Sequence, residues 1–131
     1  MIVVDTNIVA YLMIESDHTA QAIGVRRKDA DWRSPGLWRS EFRNVMMLYV
    51  RRDIMTSQNA ILRTAKAETL IETMAVNSDR IIELASQSGC TAYDCEFVSL
   101  AERLGVPLIT SDKKILAAFP DIAISMDAFV S

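Results

Sequence analysis

Histidine is almost missing from this chain of 131 residues, with His18 the only one. Nucleophilic catalysis of the Ser-His-Asp or Cys-His kind has no other base to draw on, and His18 sits in a polar, turn-like stretch that reads as surface. Cysteine is nearly as scarce. Cys90 and Cys95 do not have CxxC spacing, and no group of further Cys or His residues completes a zinc site, so both read as ordinary reduced thiols. Glycine numbers only four, and none falls in a P-loop pattern. No apolar run approaches membrane-spanning length, and no signal peptide precedes the first apolar run. With the reduced thiols, this predicts a cytoplasmic protein with no membrane contact. Positive charge is not in excess either. A net charge of −3 argues against a sequence-independent nucleic-acid coat protein, which would be basic. It is compatible with a nuclease, because carboxylates that bind a cation add negative charge that the cation cancels.

What is present is a hydrophobic half. At 50% hydrophobic residues the chain is not disordered, and its length suits one domain, residues 1–131, around one core. Ile2-Val3-Val4 is a β-branched apolar run, read as a buried parallel strand that Asp5 stops. Helical apolar spacing follows at Ile8, Val9, Leu12 and Met13. Thr19 to Arg27 reads as a second helix with Ala20, Ile23 and Ala22 inward. Trp32-Arg33-Ser34 reads as a strand ended by Pro35-Gly36. Leu37 to Arg52 is the longest helix, and its apolar residues exceed one core-facing stripe. The excess fits either a second helix of the same chain or a partner interface. Gln58 to Thr73 is a helix with Ile61, Leu62, Ala65 and Leu70 as apolar positions, followed by a strand at Met74-Ala75-Val76. Two capped helices come next. One ends at Gly89; the other starts at Thr91, carries Phe97, Leu100, Ala101 and Leu104, and ends at Gly105. Strands at Pro107 to Thr110 and Ile122 to Ile124 flank a short helix after Asp112. Alternating strands and helices predict an α/β fold, with a parallel sheet, helices on both faces and right-handed crossovers.

Four acids fall at matching places in that order. Asp5 ends the first strand, Glu41 lies near the start of the long helix, Asp94 is in the first turn of the Thr91 helix, and Asp112 follows the Leu108-Ile109-Thr110 strand. Strand C-termini and the helix N-termini after them share one edge of a parallel sheet, so the four side chains can converge on one crevice. Each also has a plainer explanation as a helix cap or dipole partner, worth less than about 1 kcal/mol. Two carboxylates ~4 Å apart repel by roughly 4 kcal/mol at an effective dielectric near 20. A cluster therefore calls for a cation or for raised pKa values. All-oxygen ligands suit Mg²⁺ or Mn²⁺. With nucleophile–histidine chemistry and P-loop chemistry set aside, metal-assisted phosphodiester hydrolysis is the chemistry left.

The stretches VVDTNIVAYL, PGLWRSEFRNVM and TAYDCEFVSLAERLGVPLITSDKKIL resemble the PIN-domain ribonucleases, and among them the VapC-type toxins of toxin–antitoxin pairs. The resemblance spans nearly the whole chain. It implies a three-layer fold with a five-stranded parallel sheet, a carboxylate site for one or two divalent cations, and endonucleolytic cleavage of RNA. On it, Asp5, Glu41, Asp94 and Asp112 match the four family acids. Asp5 and Asp94 would ligate the metal directly, Asp112 would hold metal or its water, and Glu41 would orient or deprotonate the attacking water. It further implies a cognate antitoxin docking on the apolar helices, and a homodimer. Thr6, Asn7 and Ser111 can orient the carboxylates or merely cap helices. Arg39, Arg43, Lys113 and Lys114 flank the acids, and ordinary solvated charge is their default. Glu96, two residues after Asp94, is read as a surface residue. Three other readings compete: a housekeeping PIN nuclease, a PIN-like module that binds RNA or a partner without cleaving, and a signalling receiver domain. The last lacks the adjacent acids that receivers carry after the first strand.

Overall fold

The computed structural model describes residues 1–131. Five strands form one sheet: β1 (Ile2–Val4), β2 (Trp32–Pro35), β3 (Ile71–Met74), β4 (Leu108–Ile109) and β5 (Ala123–Ile124). Their order is β3-β2-β1-β4-β5 and every pairing is parallel. β1 is central, with Val3 facing Arg33 on one side and Leu108 on the other. Its three residues are fully enclosed, which explains an unbroken apolar run where a half-exposed strand would alternate. A receiver-type domain would have the order 2-1-3-4-5, so the topology overturns that reading.

Eight helices cover the sheet: α1 (Thr6–Met13), α2 (Thr19–Lys28), α3 (Leu37–Arg51), α4 (Ser57–Leu70), α5 (Ser78–Ser88), α6 (Ala92–Leu104), α7 (Lys113–Ala118) and α8 (Met126–Val130). α6 crosses β1, β2 and β4, with α5 packed on it, while α1 packs against α2 and α3. Trp38 and Phe42 of α3 meet edge to face at 5.8 Å and are fully buried. The Trp38 indole donates to Thr73 Oγ1 at 2.9 Å, so its one polar atom is satisfied. Gly89 and Gly105 end α5 and α6 with φ of 74° and 67°, conformations in which a side chain would be strained. Both cysteines are buried and free.

Two expectations about the framework, the start of β3 and the inward face of α2, are corrected, and α4 packs differently from what its large apolar residues suggest. β3 begins at Ile71, not Met74, and α4 stops at Leu70. Nothing local marks that boundary, which is set by pairing with β2, where Trp32 meets Ile71 and Pro35 meets Met74. In α2 the enclosed residues are Thr19, Ala22 and Val25, whereas Ala20 and Ile23 are exposed. The Thr19 hydroxyl, held by the carbonyls of Tyr11 and Ile14, turns that helix's polar residue inward. In α4 the buried residues are Ala60 and Ala67, while Ile61 and Leu62 are about 60% exposed (62% and 60%). Small side chains face the neighbours here and large ones face out.

Candidate active site

The strand order reverses at β1: β2 and β3 lie to one side, β4 and β5 to the other. Open α/β sheets bind ligands at such a switch point, outside the strands' carboxyl ends. Asp5 leaves β1 there, and Thr110 to Asp112 leave β4 beside it. The Asp5 amide donates to the Ile109 carbonyl at 3.0 Å, which ties the two strand ends together.

Asp5 is the most constrained of the four acids. Oδ1 accepts from the Thr6 amide at 2.7 Å and Oδ2 from the Thr110 hydroxyl at 2.8 Å. Its carboxyl is nevertheless pushed up to about 6. Desolvation by burial is the main cause; the two hydrogen bonds oppose it, and the charges of Glu41 and Asp94 add to it. Glu41 and Asp94 therefore lie within electrostatic reach of Asp5, as convergence on one crevice requires.

Glu41 sits one turn into α3, beyond the first turn where the helix dipole would account for it. Its Oε1 accepts from the Thr6 hydroxyl at 2.7 Å. Thr6 is buried, so it fixes two acids at once, Asp5 through its amide and Glu41 through its hydroxyl. Asp94 is in the first turn of α6, but the cap there is the Thr91 hydroxyl, which accepts from the Asp94 amide at 3.0 Å. The Asp94 carboxylate is thus not consumed by capping. Asp112 differs: its Oδ1 caps α7, accepting from the amides of Lys114 at 2.8 Å and Ile115 at 3.1 Å. For Asp112 the capping role is real, and Oδ2 is the oxygen left for other work.

Among the supporting residues, Thr6 orients a carboxylate, but Asn7 is exposed and hydrogen-bonds none of the acids. Ser111 pairs instead with the Tyr11 hydroxyl at 3.3 Å. Arg39 is drawn to Glu68 of α4 at 3.6 Å, and so away from the crevice. Arg43, Lys113 and Lys114 are exposed, and none is in an ion pair. His18 is exposed and stacks on Tyr11, with ring centroids 4.6 Å apart. Glu96 is not a plain surface residue. It is half-buried, and its carboxyl is raised by burial and then by the charge of Glu41. Two positions along the helix turn Glu96 away from Asp94.

Thr110 escaped sequence reasoning as a site residue. It is fully buried, donates to Asp5 and accepts from the Asp112 amide at 3.1 Å, so one hydroxyl couples two acids. The only signal was a hydroxyl residue at the end of a central strand. The donor set is all oxygen, as hard divalent cations prefer. No three acidic side chains stand close enough together to form a ready coordination shell.

The sequence profile of the PIN domain matches residues 2–122. The chain belongs to the PIN domain family. Among curated proteins it is similar to Ribonuclease VapC3 of Pyrobaculum aerophilum, 25% identical over 124 residues, covering 91% of this chain and 95% of that one. Among solved structures it is similar to PAE2754 of Pyrobaculum aerophilum, with a TM-score of 0.78, 22% identity, and coverage of 98% and 91% of the two chains. VapBC2 of Rickettsia felis, determined bound to a DNA fragment from its promoter, aligns with a TM-score of 0.68 at 16% identity, over 95% and 98% of the chains. These structures share the PIN fold seen here, a five-stranded parallel sheet in a three-layer α/β arrangement.

Proposed function

We propose that this PIN domain is a divalent-metal-dependent endoribonuclease acting in the cytoplasm, and the toxin of a toxin–antitoxin pair. The observation that carries the reading is Asp5: a carboxyl at the sheet's switch point, held by two hydrogen bonds yet raised to about 6 by burial and by Glu41 and Asp94. A bound Mg²⁺ or Mn²⁺ would relieve that repulsion, polarise the phosphodiester and acidify water. Asp5 and Asp94 would hold the cation, and the free oxygen of Asp112 would hold it or its water shell. Glu41, aimed by Thr6, would orient the attacking water and take up its proton. Thr110 would keep Asp5 and Asp112 in register. The likeness to Ribonuclease VapC3 supports ribonuclease activity, and the likeness to the VapBC2 structure supports pairing with an antitoxin.

The antitoxin would dock between α3 and α4. A groove of about 600 Å³ there is lined by Met46, Met47, Ala60, Ile61 and Arg43 among others, and Met47 and Ile61 expose apolar surface beside it. The reading also includes a homodimer, which sedimentation would check. To test the activity, a mixed-sequence RNA is incubated with the purified protein, free of antitoxin, and Mg²⁺ or Mn²⁺. Cleavage abolished both by chelator and by Asp94→Asn supports the reading; cleavage that survives either one refutes it.

One observation favours a second reading, a PIN module that binds RNA or a partner without cleaving: no three acids form a ready metal shell. RNA binding indifferent to chelator and unaccompanied by cleavage would decide for it.

A further inference from the structure

We propose that Tyr93 is a base-stacking residue at the mouth of the acidic crevice, holding a nucleotide next to the one whose phosphate lies at the carboxylates. The inference rests on the ribonuclease reading and adds to it the residue that grips the unpaired strand.

Tyr93 is 64% exposed although aromatic. Its ring stacks on no other aromatic ring, and its hydroxyl makes no hydrogen bond within the molecule, in contrast to Tyr11, which does both. Its backbone is fixed, because the Thr91 cap holds the first turn of α6. It immediately precedes Asp94, about 3.8 Å away along the Cα trace. Helical side chains lean toward the N-terminus of their helix. α6 runs directly into β4 of the parallel sheet, so its first turn, with Tyr93 and Asp94, lies at the sheet's carboxyl edge, and the exposed Tyr93 ring stands outward there.

The surroundings select the occupant. Lys113 and Lys114, beside Asp112, are exposed and carry no ion pair. An aromatic face on one side of an acidic crevice and uncompensated cations next to it suit a polyanion bearing flat apolar rings. Single-stranded RNA has that chemistry, since its bases are free to stack on side chains; in a duplex the faces are already covered.

The test measures binding of a fluorescein-labelled single-stranded RNA of mixed sequence, in chelator so that nothing is cut. The wild type is compared with Tyr93→Ala, Tyr93→Phe and Tyr93→Trp, and each is also offered an oligonucleotide with abasic positions. Stacking is lost in Tyr93→Ala, so affinity for the intact strand should fall roughly 5- to 100-fold. Phe and Trp should restore it to within about twofold, and the salt dependence should not change, because no phosphate contact is removed. On the abasic strand the wild type and Tyr93→Ala should bind alike. With Mn²⁺ present, Tyr93→Ala should raise KM and leave kcat nearly unchanged. Equal affinity of wild type and Tyr93→Ala for the intact strand would overturn the proposal, as would an equal loss on the abasic strand. A fall from dimer to monomer in Tyr93→Ala, without dependence on the base, would assign the ring to a subunit contact and overturn it too. Wild-type protein that neither binds nor cleaves RNA would instead remove the ribonuclease reading, and this inference with it.

Discussion

Replacing Asp5 by Asn should make the metal-free protein more stable near neutral pH, although it deletes a central site residue. In the folded state Asp5 holds its proton up to about pH 6, against 3.8 for an ordinary aspartate. That gap corresponds to roughly 3 kcal/mol, at about 1.4 kcal/mol per tenfold change in proton affinity. Because the folded value is the higher one, the stabilisation is fully present below about pH 3.8 and is lost as pH rises through about 6. At pH 7.5 the wild type therefore carries an ionised, desolvated carboxylate facing two other acids. Asn keeps the shape and removes the charge. It also offers a single acceptor oxygen where Thr6 and Thr110 both donate, which returns about 1 kcal/mol. The net expectation at pH 7.5 is a gain of roughly 1–2 kcal/mol, shrinking to nothing or reversing at pH 4. Urea unfolding of both proteins in chelator at pH 4, 5, 6 and 7.5 measures it. A variant less stable than wild type by the same amount at every pH would refute the reasoning, since Asp5 would then be a structural cap and not a strained acid.

Other consequences follow from the same contacts. Thr110→Val leaves Asp5 Oδ2 and the Asp112 amide without their shared partner; it should cost about 1–3 kcal/mol in unfolding experiments and lower cleavage as well. Thr6→Val frees Glu41, and its kcat on RNA should drop roughly 10- to 100-fold with KM little changed; an unchanged kcat would show that Thr6 serves only the fold. Met47→Lys and Ile61→Lys should stay folded, keep nuclease activity and lose antitoxin affinity; antitoxin binding equal to wild type by calorimetry would place that interface elsewhere.

What could be read from residues alone was what local chemistry decides. The β1 run and its stop at Asp5, the Thr91 cap and the Gly89 and Gly105 terminators all depend on neighbours within a turn. The shared edge for Asp5, Asp94 and Asp112 followed from α/β topology. The start of β3 was not legible, because it is fixed by pairing with β2 across the sheet and no glycine or proline marks it. The buried face of α4 was not legible for a related reason: Ala60 and Ala67 pack, while the larger Ile61 and Leu62 face outward. At the site, Thr110 looked like an ordinary strand threonine, and its partner Asp5 is 105 positions away. The partial burial of Glu96, which raises its carboxyl together with the charge of Glu41, likewise depends on tertiary packing. Ser111 and Asn7 make no hydrogen bond to the acids; their neighbours Thr110 and Thr6 make those contacts.

The most direct test of the central claim, that this crevice is a metal site, needs no knowledge of the RNA target. Mn²⁺ is titrated by calorimetry into the wild-type protein and into Asp94→Asn, both free of antitoxin and confirmed folded. Asp94 is the acid whose carboxylate is not used by its own helix cap, so its loss should spare the fold. Saturable binding to the wild type that the variant loses or weakens at least tenfold is expected. Equal binding to both, or none to either, would contradict the claim.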